Sequence, residues 1–220
     1  MDIVSTHGWR LLLVASGVAL ALGGRMHPSA DAKDSLRQEL ATMTADERWV
    51  PGHSLIVVST VLLAAGLWVA YRRDVWPVSV RRPLLIACVA VSLYVLETVA
   101  HLAAVLDSDA LADGHAAPVA WTHVGLSALL YPIAGWAIAY LSWAIARVWH
   151  GWRRVLVGVG IVAGLLHAFS VPVTILFPDF EASPLFAGAG ILIALWSVFT
   201  GVVGAPRPAL VPAGGDPVLA

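Results

Sequence analysis

The sequence predicts an all-α protein, a polytopic transmembrane helical bundle of six spans with both termini on the cytoplasmic side. Of its 220 residues, 59% are hydrophobic and only 12% are charged, whereas a soluble domain carries about 25% charged residues. The apolar stretches are continuous and approach the roughly 20 residues that a helix needs to cross a bilayer. They lack the alternating ten-residue pattern of a membrane β-barrel.

The remaining composition excludes several classes of protein. A formal net charge of −1 offers no basic face for phosphate contacts, so we expect no nucleic-acid partner. One cysteine, Cys88, excludes a disulfide framework and a cysteine-based zinc or iron–sulfur site. The one lysine, Lys33, lies in a loop, which excludes a retinal Schiff base within a span.

The six predicted spans follow one another through mostly short connections, so residues 1–204 form one transmembrane domain. Pro132 predicts a kink in the fourth span, because proline removes a helix hydrogen bond. The spans are predicted at Trp9–Gly24, His53–Tyr71, Pro83–Leu106, Pro118–Val148, Val155–Phe177 and Pro184–Val203.

The distribution of basic residues predicts the orientation. With the N-terminus inside, nine of the 13 Arg and Lys residues lie on the inner side, as the positive-inside rule favours. An alternative is a cleavable signal peptide ending near Ala30-Asp31-Ala32, which would leave five spans. Asp2 and the distance of that motif from the apolar run favour the uncleaved interpretation.

The first outer loop, residues 25–52, carries a predicted polar helix over Ser29–Arg48. Ser29 or Asp31 would cap it, and an apolar stripe would face the membrane or the top of the bundle. A surface helix that covers the helix ends is favoured over a lid on a site. The stripe consists of Leu36, Leu40 and Met43.

Two further features lie at the edges of the spans. Residues 205–220 are rich in proline and glycine, and we expect this tail to be disordered. Five tryptophans lie near predicted span ends and are interpreted as an aromatic belt. They are Trp49, Trp76, Trp121, Trp149 and Trp152.

Histidines concentrate on the outer side. Six of the eight lie in outer loops or outer span halves, and four spans carry a histidine at about the same height. Glu97 lies one helical turn deeper in the third span than His101. Ionisable residues within a membrane are costly and commonly mark a functional site. The four histidines of the spans are His53, His101, His123 and His167.

Polar neighbours extend these histidine faces along their helices. Tyr94, Glu97, Thr98 and His101 share one stripe of the third span, at spacings i, i+3, i+4 and i+7. Ser127 and Tyr131 follow His123 at successive intervals of four, and Gly160 and Gly164 share a face with His167. Gly160-x-x-x-Gly164 is a small-residue pattern that permits close helix approach. The histidine faces are therefore predicted to be the packed faces.

Imidazoles and a carboxylate together suit a transition metal, Zn, Cu or Fe. Haem is the alternative cofactor, held between His101 and His167 or between His53 and His123. In the simplest interpretation without a site, each histidine of the spans bonds a backbone carbonyl or a hydroxyl, and Glu97 pairs with His101. His27 and His115 lie in loops and are expected to be solvated. The predicted metal ligands are Glu97, His101, His123 and His167 with His53 joining them, and the predicted orienting neighbours are Tyr94, Thr98, Ser127 and Tyr131.

These residues indicate a multi-pass protein of the cell membrane with a metal or haem site in the outer half of its bundle. An oxidoreductase or hydrolase acting near the outer leaflet is one hypothesis. A proton- or cation-coupled transporter is the second, and a structural subunit of a membrane complex is the third. Beyond the lipid bilayer, the expected partners are a second copy of the chain or other subunits. The sequence contains no HExxH, GxSxG or phosphate-loop motif that would name a reaction.

Overall fold

Six long helices make up most of the molecule. The computed structural model describes residues 3–29, 34–177 and 180–205. Each long helix is long and apolar enough to cross a membrane, which confirms the six predicted spans and makes this an integral membrane protein. The helices are α1 (Ile3–Met26), α3 (Trp49–Arg72), α4 (Val78–Ala103), α6 (Pro118–Ile145), α7 (Arg153–Leu176) and α8 (Ser183–Val203).

The six helices pack as a closed ring in chain order. Each long helix contacts the next one along the chain, and α8 returns to contact α1. Helix α6 continues through Pro132. The hydrophobic core lies inside this ring and includes Leu13, Leu67 and Leu141. Because consecutive long helices are antiparallel neighbours, the ends of α1, α4 and α7 lie beside the starts of α3, α6 and α8.

Glycines allow α6 and α7 to pack closely against each other. A Cβ at Gly164 would lie 2.5 Å from the Gly135 carbonyl oxygen, and one at Gly135 would lie 2.4 Å from that of Gly164. A Cβ at Gly160 would lie 2.2 Å from Oγ of Ser142. The Gly160-x-x-x-Gly164 pattern therefore marks a close helix interface, as predicted.

A cap covers the end of the ring at which α3 begins. It consists of α2 (Leu36–Ala45), a 3-10 turn (Ala104–Asp107) and α5 (Ser108–Ala112). The Arg37 guanidinium donates to the His115 carbonyl at 2.9 Å, and Thr44 Oγ1 lies 3.2 Å from Ser108 Oγ. These bonds join α2 to the segment that follows α4. We call these three elements the cap.

Helix α2 is shorter than the predicted span of Ser29–Arg48. Ser35, rather than Ser29, is its N-cap: the Ser35 side chain accepts from the Gln38 backbone N–H, and the Gln38 side chain accepts from the Ser35 N–H. This is a capping box, and the Ser-x-x-Gln spacing was the overlooked signal. The predicted apolar stripe packs inward against the cap's own core, as residues Leu36, Leu40 and Met43. The cap candidate Asp31, the cleavage motif at residues 30–32 and the tail from residue 206 lie outside the described residues.

Three of the five belt tryptophans are wrongly assigned. Trp49 and Trp149 are fully buried and Trp76 nearly so. Trp76 packs edge-on against Trp9 and lies beside Trp149, with ring centres 6.1 and 5.8 Å apart. Their large apolar area is buried within the protein. Trp121 and Trp152 are exposed, and their place in an aromatic belt stays a prediction.

Asp107 determines where α6 begins. Its Oδ2 accepts from the backbone N–H groups of Val119 and Ala120, at 2.6 and 2.9 Å. A carboxylate satisfies the free N–H groups of a helix N-terminus and interacts favourably with the helix dipole. This bond links the cap to the first turn of α6 and thereby positions His123 one turn further along.

Candidate metal centre

Four histidines and one glutamate converge directly beneath the cap. His27 follows the end of α1, His53 lies in the second turn of α3, and His101 lies in the last turn of α4. His123 lies in the second turn of α6, and Glu97 lies one turn before His101. His53 and Glu97 are fully buried, and His123 is nearly so. The antiparallel ring brings these helix ends to one level.

The first ligand group consists of His27, His53 and His101. Each offers one ring nitrogen, and these three atoms lie within 4.8 Å of one another. The ring centre of His53 lies 4.7 Å from that of His27 and 4.4 Å from that of His101, and the two outer rings are 6.0 Å apart. We call this group the histidine triad.

Backbone carbonyls select the tautomer of two triad histidines. Nδ1 of His53 lies 2.8 Å from the Trp49 carbonyl oxygen, and Nδ1 of His27 lies 2.6 Å from that of Pro28. A carbonyl only accepts, so each Nδ1 carries the hydrogen and each Nε2 keeps a free lone pair. Nε2 of His53 is buried without a hydrogen-bond partner among the described residues.

Trp49 fixes the position of the triad from above. Its ring stacks on His53 with centres 3.9 Å apart and lies 5.2 Å from the ring of His101. The indole N–H donates to the Leu102 carbonyl at 3.2 Å. One tryptophan therefore joins the first turn of α3 to the last turn of α4, the two helices that carry His53 and His101.

The second ligand group consists of Glu97, His101 and His123, whose ligand atoms also lie within 4.8 Å of one another. Oε1 of Glu97 lies 3.0 Å from Nδ1 of His123 and 3.7 Å from Nδ1 of His101. Ser127 donates its hydroxyl to the same oxygen at 2.8 Å. Oε2 of Glu97 is buried and has no hydrogen-bond partner among the described residues.

The second group is not arranged as a serine nucleophile with its base. Ser127 Oγ lies 3.2 Å from Nδ1 of His123, the same nitrogen that faces Glu97. A catalytic triad needs the acid on one ring nitrogen and the hydroxyl on the other. The rings of His101 and His123 stack with centres 4.0 Å apart and planes 22° apart. The Glu97 carboxylate therefore accepts from Ser127 and faces both histidines.

His167 lies beside two tyrosines. Its ring stacks on Tyr131, with centres 4.3 Å apart, and meets Tyr94 edge-on at 4.9 Å. Neither ligand group found among the described residues includes it. Tyr94 lies one turn before Glu97 on α4, so this ring cluster continues from the carboxylate toward the middle of the bundle.

The side chains of Thr98 and Ser127 make different hydrogen-bond contacts. Thr98 Oγ1 lies 3.0 Å from Thr60 Oγ1, so it joins α4 to α3 at its own level. Ser127, in contrast, contacts both Glu97 and His123. Of the four predicted orienting neighbours, Ser127 touches a ligand group by hydrogen bonds, and Tyr94 and Tyr131 pack around His167.

The solvated interpretation of His27 is wrong, whereas His115 is exposed as expected. His27 is half-buried against His53, and burial lowers the pKa of its imidazole below the ordinary value of 6.5. Its signal in the sequence was positional. It follows the first span directly, at the end where the second span begins with His53, so the two residues share one height.

Comparison with known proteins gives no match. No protein-family model, curated protein or solved structure matches this chain.

Proposed function

We propose that this integral membrane protein binds a divalent transition-metal ion through the histidine triad. Nε2 of His27, Nε2 of His53 and one ring nitrogen of His101 would be the ligands. The observation that carries the proposal is the buried Nε2 of His53, which has no hydrogen-bond partner among the described residues, while Nδ1 donates to a backbone carbonyl. Metal-ligating histidines commonly make such a bond through the second nitrogen.

The spacing of the rings supports the triad as the ligand set. With metal–nitrogen bonds near 2 Å, imidazoles around one tetrahedral ion have ring centres about 5 Å apart. The triad spacings of 4.4, 4.7 and 6.0 Å bracket that value. His101 and His123 stack nearly parallel at 4.0 Å, so their lone pairs do not converge on one ion. This favours His123 and Glu97 as neighbours of the ion rather than as ligands.

The same spacings disfavour haem. Two imidazoles that ligate haem iron from opposite faces have ring centres about 6 Å apart, with the porphyrin plane between them. The one triad pair at that separation, His27 and His101, has the ring of His53 packed against both members. His167 packs against Tyr131, which places it in a different ring cluster from His101.

Three protein ligands leave a coordination position for water or substrate, as in catalytic zinc sites. An ion held by His27, His53 and His101 would act as a Lewis acid and would lower the pKa of a bound water. The proposed reaction class is therefore hydrolysis at the membrane boundary, beneath the cap.

Metal binding by the purified chain in detergent tests the proposal. We expect one Zn²⁺ or Co²⁺ per chain by calorimetry and metal analysis, with a Co²⁺ visible spectrum of four-coordinate type. His53→Ala should leave only weak binding through the two remaining ligands. His115→Ala is the matched control, because it removes an exposed histidine at the same end of the bundle. A wild-type chain that binds no ion, or a His53→Ala variant that binds normally, contradicts the proposal.

A further inference from the structure

We infer that Glu97 makes the metal centre selective for divalent over monovalent cations, acting through its charge and through His101 rather than as a ligand. The inference rests on the proposed metal site. It assigns a role in specificity to Glu97, a carboxylate that is fully buried in the bundle.

Burial singles out Glu97. The buried acidic side chains among the described residues are Glu97 and Asp107. Asp107 is accounted for, because its carboxylate accepts two backbone N–H groups at the start of α6. Within the part of the chain that the structure describes, Oε2 of Glu97 has no hydrogen-bond partner. A buried carboxylate is costly unless it is compensated by a nearby positive charge, and such a charge is absent from the described contacts.

Hydrogen-bonding neighbours hold the Glu97 carboxylate in one position. Oε1 accepts the Ser127 hydroxyl at 2.8 Å and faces Nδ1 of His123 at 3.0 Å. Hydrogen bonds to an ionised carboxylate are the stronger kind. Ser127 and His123 thus fix the carboxylate in place, one helical turn from a triad ligand.

His101 connects this carboxylate to the triad. Its Nδ1 faces Glu97 Oε1 at 3.7 Å, while its ring lies 4.4 Å from that of His53. At that separation the carboxylate acts on the ring through its charge, and a nearby carboxylate raises the basicity of a ligating histidine. Glu97 therefore places a negative charge beside a triad ligand and close to the proposed ion.

The negative charge of Glu97 accounts for the preference of the metal centre for divalent cations. Three neutral imidazoles leave a divalent ion with its whole charge inside a medium of low dielectric constant, where Coulomb interactions are strong. The single negative charge of a nearby carboxylate offsets half of the charge of the ion. Because Coulomb energy is proportional to the charge of the ion, the carboxylate stabilises a divalent ion about twice as much as a monovalent one. Removal of the carboxylate charge should therefore weaken divalent binding about twice as much as monovalent binding, on a logarithmic scale.

Competition between two ions tests the inference. Dissociation constants for Co²⁺ and Ag⁺ are measured on the wild-type chain and on Glu97→Gln, which keeps the shape and removes the charge. We expect Co²⁺ affinity to fall about 10- to 100-fold and Ag⁺ affinity about 3- to 10-fold. The Co²⁺ spectrum should retain the same coordination number. Asp109→Asn removes an exposed charge at the same end of the bundle and should change neither constant.

The charge effect is separable from a structural role. A structural role would weaken both ions equally, and equal losses or no loss in Glu97→Gln overturn the inference while leaving the triad intact. Glu97→Met is a second neutral variant, for use if the glutamine variant does not fold. Glu97→Asp keeps the charge and should keep the Co²⁺ to Ag⁺ affinity ratio within about threefold. A wild-type chain that binds neither ion instead contradicts the metal site itself.

Discussion

Nδ1 of His53 donates to the carbonyl oxygen of Trp49, four residues earlier in the same helix, at 2.8 Å. The bond leaves Nε2 as the only free acceptor of the ring. Trp49 also stacks on that ring, and its indole N–H bonds α4 through Leu102. One residue therefore determines the tautomer of His53, the position of its ring and the distance between α3 and α4. Such preorganisation is what a precise ligand geometry requires.

Trp49→Phe should weaken the metal centre without unfolding the bundle. Phenylalanine retains most of the stacked area on His53 but cannot donate to the Leu102 carbonyl. We expect a loss of about 1 kcal/mol in unfolding free energy and a several-fold loss of Co²⁺ affinity. Thermal unfolding in detergent and metal titration measure both. Trp152→Phe, at an exposed position, is the control, and equal effects of the two variants would contradict the prediction.

Gly164→Ala should loosen the contact between α6 and α7. Its methyl group would meet the Gly135 carbonyl oxygen at 2.5 Å, so the two helices must separate. Overpacking of this kind costs about 1–3 kcal/mol, and the unfolding temperature should fall. Gly158→Ala is the matched control on the same helix, because a Cβ there meets nothing within 4 Å. The prediction fails if the two alanine variants unfold at the same temperature.

The sequence predicts the fold well because the spans are long apolar runs, whose helical state follows from the cost of unpaired backbone in lipid. The site is predicted in part. Glu97, His101 and His123 lie on helices at a common height, which periodicity reveals. His27 could not be placed in this way because it lies outside the helices, where no period applies. The burial of Trp49 likewise depends on the neighbouring helix end and the cap, which are tertiary contacts without a local signature.

Asp107→Ala should destabilise the cap end of the bundle and displace His123. The variant leaves the N–H groups of Val119 and Ala120 without their acceptor. Loss of a helix N-cap costs about 0.5–2 kcal/mol. Hydrogen exchange should quicken in the first turn of α6, and not in α8, whose start bears no such bond to Asp107. Unchanged exchange in that turn would show that Asp107 does not hold it.

Metal binding should persist to a pH below that at which ordinary peptide histidines lose their ions. Burial lowers the pKa of His27 from 6.5, so its imidazole stays neutral and able to ligate as the pH falls past that value. The unfolded chain binds this proton first, and the stability that neutral His27 contributes is present above pH 6.5. It is lost as the pH falls through the lower folded pKa.

Titration of Co²⁺ binding against pH measures this midpoint, with fixed total metal and the visible absorbance as the signal. We expect a midpoint below pH 6.5 for the wild-type chain. His27→Ala should retain weak binding through the two remaining ligands, and its pH profile should lack the contribution of His27 protonation. His115→Ala should reproduce the wild-type curve. With Co²⁺ in large excess over its dissociation constant, a wild-type midpoint at or above pH 6.5 would contradict the prediction. The half-buried ring beside His53 would then not be the form that binds the ion.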